Sequence, residues 1–265
     1  MKRGSVRWWL AVALLLLLGV TFMGMGRWQL SRAEERRAIA AQIERGRHAN
    51  PVRIHNGMNA DNVTAWQSAQ ATGQWLPEYT VLLDNRAQQG RPGLWMAMPM
   101  RLEGGAVLLV LRGWLARPLA GQGEYATVMV PATPVTVRGE IGLHVPRLYE
   151  LAQDPPLSFD SVSATGQIPV KLDLMSVVRR QNLSIADLSN ALPGNQILPF
   201  VLLQTGDDTS IQIDGQSLLR QWPEPSVDAD KNIGYAMQWF MFASIALGAL
   251  VVLLWRTRRR ATITS

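Results

Sequence analysis

The sequence predicts a membrane protein in which two terminal transmembrane helices bracket an extracytoplasmic, mainly antiparallel β (α+β) domain. Three observations predict it. Trp8–Gly26 is 19 residues without a charge, and Ile233–Trp255 is 23 residues without one. The 206 residues between them are polar, with short apolar runs broken by Pro and Gly. Each uncharged run is long enough to cross about 30 Å of hydrocarbon as a helix. The expected division is a cytoplasmic N-terminus at 1–7, a span at 8–26 and a helical stalk and linker at 27–63. A β-rich domain at 64–232, a second span at 233–255 and a basic cytoplasmic tail at 256–265 complete it.

The elements follow in order. Trp28–Arg47 has no Pro, no Gly before Gly46, and good helix formers throughout. The first helix should therefore leave the bilayer as a solvated stalk. A capping box of Ser31 with Glu34, starting a separate helix, is the alternative. From about Thr64 the pattern turns to strands. Tyr79–Leu83 is an apolar run, and Leu94–Leu102 and Ala106–Trp114 flank Glu103-Gly104-Gly105 as a tight hairpin. Val128–Val130, Val135–Ile141, Ile168–Leu172, Ile197–Gln204 and Ser210–Ile213 continue the strand signal. Short helices are expected near Asp173–Arg180 and Ser184–Leu192. Short strands at this spacing predict a sandwich or barrel. Trp222–Pro225 reads as an extended lead-in to the second span.

Charge excludes one class of partner. The net charge is +6, but all 20 acidic residues and 19 of the 26 basic ones lie between Arg27 and Asn232, which leaves the middle at −1. The surplus sits in Lys2, Arg3 and Arg7 and in Arg256, Arg258, Arg259 and Arg260. Clusters beside spans set topology by staying in the cytoplasm, so no nucleic acid is expected. The second span orients the C-terminus inward, and two spans then bring the N-terminus inside. Arg27, Arg32, Arg36, Arg37, Arg45 and Arg47 after the first span oppose this. A cleaved signal peptide is the competing reading of that span. The run is long for one, and Gly24-Met25-Gly26 is a poor substitute for an Ala-x-Ala site. The absence of cysteine removes thiol catalysis, thiol copper chaperoning and c-type haem attachment.

Few side chains point to chemistry. Met96, Met98 and Met100 alternate and share one strand face, which suits soft Cu(I) ligation or, more simply, core filling. His48, His55 and His144 lack metal-ligand spacing. No Gly-x-Ser-x-Gly, Walker or dinucleotide motif is present. The chain is therefore expected not to be an enzyme. An extracytoplasmic membrane-anchored enzyme is the alternative, and it needs carboxylates assembled in space. Asp84 and Arg86 end one strand and Arg112-Gly113-Trp114 ends another. An ion pair between Asp84 and Arg112 fixing a turn is the expected arrangement. At the second span Asn232, Tyr235 and Trp239 fall at i, i+3 and i+7 of a helix, with Gln238 inside the apolar run. An aromatic belt is the simple reading, and a shelf for a planar, amphipathic ligand is the sharper one.

The chain resembles the surfeit-locus (Shy1-type) family of cytochrome oxidase assembly proteins. Gly26-Arg27-Trp28-Gln29-Leu30-Ser31-Arg32 resembles the family's Gly-x-Trp-Gln-x-x-Arg. Leu83-Asp84-Asn85-Arg86 resembles its Leu-Asp-Asn-Arg, and Arg112-Gly113-Trp114 its Arg-Gly-Trp. Tyr235-Ala236 with Trp239-Phe240 resembles its Tyr-Ala-x-x-Trp-Phe. The order, the length and the terminal spans also match.

The resemblance implies a bacterial inner-membrane assembly factor for haem–copper cytochrome oxidase, with a periplasmic domain and both termini cytoplasmic. Its partners would be oxidase subunit I, the attendant assembly machinery and the lipid bilayer. The implied cofactor is haem a, held transiently during insertion. Family members are thought to bind it through a His three residues before the span Tyr, and here that position is Asn232. The candidate haem shelf is then Asn232, Tyr235, Gln238 and Trp239. A cofactor-free, membrane-tethered scaffold for a respiratory complex is the alternative.

Overall fold

A computed structural model of the chain describes residues 3–117, 128–150, 154–159, 170–172, 177–206, 212–213 and 216–263. In chain order the elements are α1 (Arg3–His48), β1 (Val52–Ile54), β2 (Ser68–Trp75), β3 (Val81–Leu83), β4 (Gly93–Leu102) and β5 (Val107–Ala116). There follow β6 (Val128–Val130), β7 (Val135–Gly142), β8 (Val170–Leu172), β9 (Val178–Arg180), α2 (Ile185–Ala191) and β10 (Ile197–Gln204). β11 (Gln212–Ile213), β12 (Gln216–Ser217) and α3 (Asp230–Ile263) complete them. They form two compact units, residues 1–41 with 224–265, and residues 42–223.

The first unit is a pair of antiparallel helices. α1 runs unbroken to His48, so Ser31 and Glu34 lie within the helix and not at a cap. At about 1.5 Å per residue it is far longer than a bilayer crossing requires. Both helices carry segments long and apolar enough to cross a membrane. Large aliphatic side chains such as Leu17, Val20 and Val251 are more than 60% exposed, an arrangement that only a hydrocarbon surround favours. The seam between the helices uses small residues. Gly19, Gly26 and Ala33 recur every seven residues on α1, as do Ala229, Ala236 and Ala243 on α3, and all six are buried. A seven-residue repeat keeps one stripe on the partner helix, and small side chains let the backbones close. A Cβ on Gly26 would stand 2.5 Å from the Phe240 ring.

The second unit is a mixed barrel. Strands β2, β7, β10, β5 and β4 pair in that order, and β4 returns to β2. Four of the five joints are antiparallel, and the β5–β10 joint is parallel. β1 extends the sheet beside β2, and β3 and β9 extend it beside β4. Alternation fills the inside with Met96, Met98 and Met100 from β4, Leu108 and Val110 from β5, and Phe200 and Leu202 from β10. The methionine stripe is thus core. A second apolar layer lies on the outer face of β3, β4, β5 and β10, where Leu183, Leu188 and Leu192 cover Leu109, Leu111 and Val201. The hairpin at Glu103-Gly104-Gly105 is present. Gly104 and Gly105 take φ of +90° and +95°, a region closed to most other residues.

Several local expectations change. Val178–Arg180, expected as helix, is a strand that runs parallel to β3. Its β-branched Val177 and Val178 favour the extended form. Residues 173–176 of that expected helix lie outside the described residues, as do 168–169 and 210–211 of two expected strands. The helix expected at Ser184–Leu192 is α2, whose N-cap Ser184 makes a reciprocal capping box with Asp187. β2 was not legible, because Ala69, Ala71 and Gly73 face inward and give little apolar signal.

Candidate functional site

The motif residues fall into two groups, one in each unit. In the helix pair, Asn232 Nδ2 donates to Gln29 Oε1 at 2.7 Å. The exit of the first span and the entrance to the second are thereby joined, side chain to side chain. Both amides are half-buried. Seven residues further along each helix, the Phe22 and Trp239 rings stack with centroids 5.7 Å apart, and Phe242 packs against both. Below them lies a groove of about 380 Å³, lined only by apolar residues, including Leu15, Leu18, Ile245 and Ala249.

The expected shelf is divided. Asn232 and Trp239 face α1, whereas Tyr235 is 53% exposed and Gln238 is exposed beside it. Gly26 is packing space for Phe240, and Gln29 is the partner of Asn232. Trp28 points outward, and Arg32 makes an exposed ion pair with Glu35 at 2.8 Å. An Asn amide is a poor iron ligand beside an imidazole. The residues present do not supply an axial ligand, but their aromatic rings and amides suit a flat amphipathic molecule.

In the barrel unit the expected pair of Asp84 with Arg112 is not formed. Asp84 pairs with Arg117, partly exposed, and also accepts from the Asn85 backbone N–H. Asn85 takes φ +58°, turning the chain after β3. Arg112 is completely buried inside the barrel. The pairing of β4 with β5 shifts between Met96 and Ala97, which leaves Arg112 as the bulged residue. The bulge turns its side chain inward, away from Asp84. Its guanidinium carbon lies 3.9 Å from the Trp75 ring centroid, Nε donates to Gln204 Oε1 at 3.2 Å, and Nη1 lies 3.7 Å from Met98 Sδ.

Gly113 follows with φ +150°, and a Cβ there would come within 2.6 Å of Leu218. Trp114 Nε1 donates to the Arg86 carbonyl, so the two barrel motifs do meet, through an indole and a backbone. The Arg86 side chain stacks on Trp95 with its guanidinium carbon 4.4 Å from the centroid and donates to Gln181 O at 3.0 Å. Burial lowers its pKa to about 10, and it stays charged at neutral pH. This is a packed, hydrogen-bonded corner, and its chemistry is structural.

The histidines lie apart from these groups. His48 pairs with Glu44 at 2.6 Å, His55 Nδ1 lies 2.8 Å from Asn56 O, and His144 is exposed. No cluster of three metal-ligating side chains occurs among the described residues. Phe22, Trp75, Arg117 and Gln204 take part in these sites without belonging to any motif read from the sequence. Only the seven-residue recurrence of Gly19, Gly26 and Ala33 offered a signal for the helix seam.

Comparison with known proteins agrees with this layout. Three uncharacterized SURF1-like proteins, one from Mycobacterium bovis and two from strains of Mycobacterium tuberculosis, are each 25% identical to the chain over 262 residues. Those matches cover 95% of this chain and 86% of each relative. A model of the SURF1 family matches residues 16–244, which takes in both spans and the whole barrel. That family is known for cytochrome oxidase assembly factors, generally non-enzymatic, and some of its members bind haem. With its motifs distributed between a helix pair and a barrel, and a match running from one span to the other, the chain belongs to the SURF1 family.

Proposed function

We propose that the chain is a non-enzymatic assembly factor of the bacterial inner membrane that assists maturation of cytochrome oxidase subunit I, including handling of haem a. Family membership from residue 16 to residue 244 carries the reading. Charge supports its orientation: Lys2, Arg3, Arg7 and the arginines from Arg256 to Arg260 stay in the cytoplasm, and the barrel is periplasmic. The division into tails, spans, stalk and periplasmic domain belongs to the same proposal.

Deletion of the gene, complemented by wild type or by Trp239→Ala, tests it. Wild type restores oxidase activity, and Trp239→Ala restores less activity than its level in the membrane accounts for. Purification in mild detergent recovers subunit I. Deletion that leaves oxidase activity intact overturns the reading. A periplasm-only reporter is expected to work after Pro134 and to fail after Ser265, and the reverse pattern overturns the orientation.

The cofactor-free scaffold is the second reading, and one observation favours it. The residue at the expected ligand position is an amide already bonded to Gln29. Asn232→His decides between the two. The haem reading expects weak retention by wild type and tighter, low-spin retention by the variant. No gain in haem, together with oxidase activity spared in Trp239→Ala, leaves the scaffold.

A further inference from the structure

The polar pair and the groove beneath it form one path along the helices. On α1, Phe22, Met25 and Gln29 follow at i+3 and i+7. On α3, Trp239, Tyr235 and Asn232 follow at i−4 and i−7. Such spacings share one helix face. The amide pair uses one N–H and one carbonyl for its single bond. Whichever way each amide is turned, one NH₂ group and one carbonyl remain for a third molecule. Neither is sealed from the surroundings, and neither has a second partner among the described residues. Seven residues is about 10 Å along a helix, so the aromatic cluster begins one ring's length below. The groove continues from there to Ala249, ten residues or about 15 Å past Trp239.

The dimensions choose the occupant. A helix about 10 Å across and of that length would fill several times the 380 Å³ available, whereas one hydrocarbon chain suits it. The head of the path carries no charge and no metal ligand, only a neutral donor and a neutral acceptor. We propose that the helix pair binds a neutral planar ring bearing a carbonyl or hydroxyl and a prenyl tail. The ring oxygen sits on the Gln29–Asn232 amides, the ring lies along Tyr235 and Trp239, and the tail enters the groove. A prenylquinone and a prenylated haem share this chemistry. The haem case rests on the proposed function, and the quinone case does not.

The test uses the full chain in phosphatidylcholine nanodiscs. Four probes are titrated: a quinone with a two-unit prenyl tail, the same quinone without a tail, haem o with its farnesyl tail, and haem b without one. In at least one ring class the tailed probe is expected to bind ten-fold or more tighter than its tail-less form. Ala249→Phe, which plugs the groove from an exposed position, is expected to erase that gain and leave the tail-less probe unchanged. Gln29→Leu with Asn232→Leu, checked for an intact thermal melt, is expected to weaken both forms. The ring class that shows the gain names the source. Equal binding of tailed and tail-less probes, or equal competition by a straight-chain alcohol of the same length, overturns the proposal. Loss of all four probes in wild type overturns it too, while the oxidase phenotype of the deletion would still stand.

Discussion

The helix pair and the barrel keep their motif residues in opposite states. In the barrel, Arg112 is enclosed by Trp75, Gln204 and Met98, and Trp114 is tied to the Arg86 carbonyl. These side chains are spent on closing a strand bulge and a corner. In the helix pair, Gln29 and Asn232 make one bond and leave hydrogen-bonding capacity open, and Tyr235 is exposed. The lesson is that motifs of one family serve different ends. Those in the barrel maintain a shape, and those at the spans present a surface.

The largest expected effect tests the barrel side. Arg112→Ala removes a buried charge and its stack, leaving Gln204 without that partner, and should cost about 3–5 kcal/mol. Thermal melting of the full chain in detergent measures it, and Arg112→Met should recover part of the loss by filling the space. If Arg112→Ala melts like wild type but abolishes oxidase maturation, the arginine acts on a partner and the contrast between the regions collapses. Trp114→Phe comes next. It leaves the Arg86 carbonyl short of a donor in a buried corner, for a loss of about 1–3 kcal/mol by the same measurement.

The helix side should respond differently. Gln29→Leu removes one interhelical hydrogen bond, worth about 1 kcal/mol in a membrane. Oxidase activity, normalised to protein level, should fall by more than that change in stability explains. Equal falls would make the amide pair a simple register lock and align the two regions. The smallest effect is expected for Arg32→Ala. Its ion pair with Glu35 is exposed on both sides, so the melting temperature should stay within experimental scatter of wild type.

Legibility followed the range of the interactions. The hairpin at Gly104-Gly105, the cap at Ser184 and the continuous α1 depend on neighbours within a few residues, so each was readable. β2 was hidden because a barrel interior beside Trp75 needs small residues there, and Ala and Gly carry no strand signal. The Asp84–Arg112 pair was a reasonable reading of two strand ends, but a one-residue bulge sent Arg112 to the opposite face. Asn232 was recognised as a departure from the family pattern. Its tie to Gln29, 203 residues away in the chain, had no local trace.

The sequence by itself determined the two spans, their flanking charges, the class of the domain between them and the family. Those properties are sums over local composition and period, and they do not depend on what touches what. Tertiary structure alone decided that the strands close into a barrel with one parallel joint, that Arg112 points inward, and that Gln29 meets Asn232 above an apolar groove. Register and close packing are set by partners distant in the chain. A shift of one residue reverses the face a side chain occupies, and no window along the sequence contains both members of such a contact.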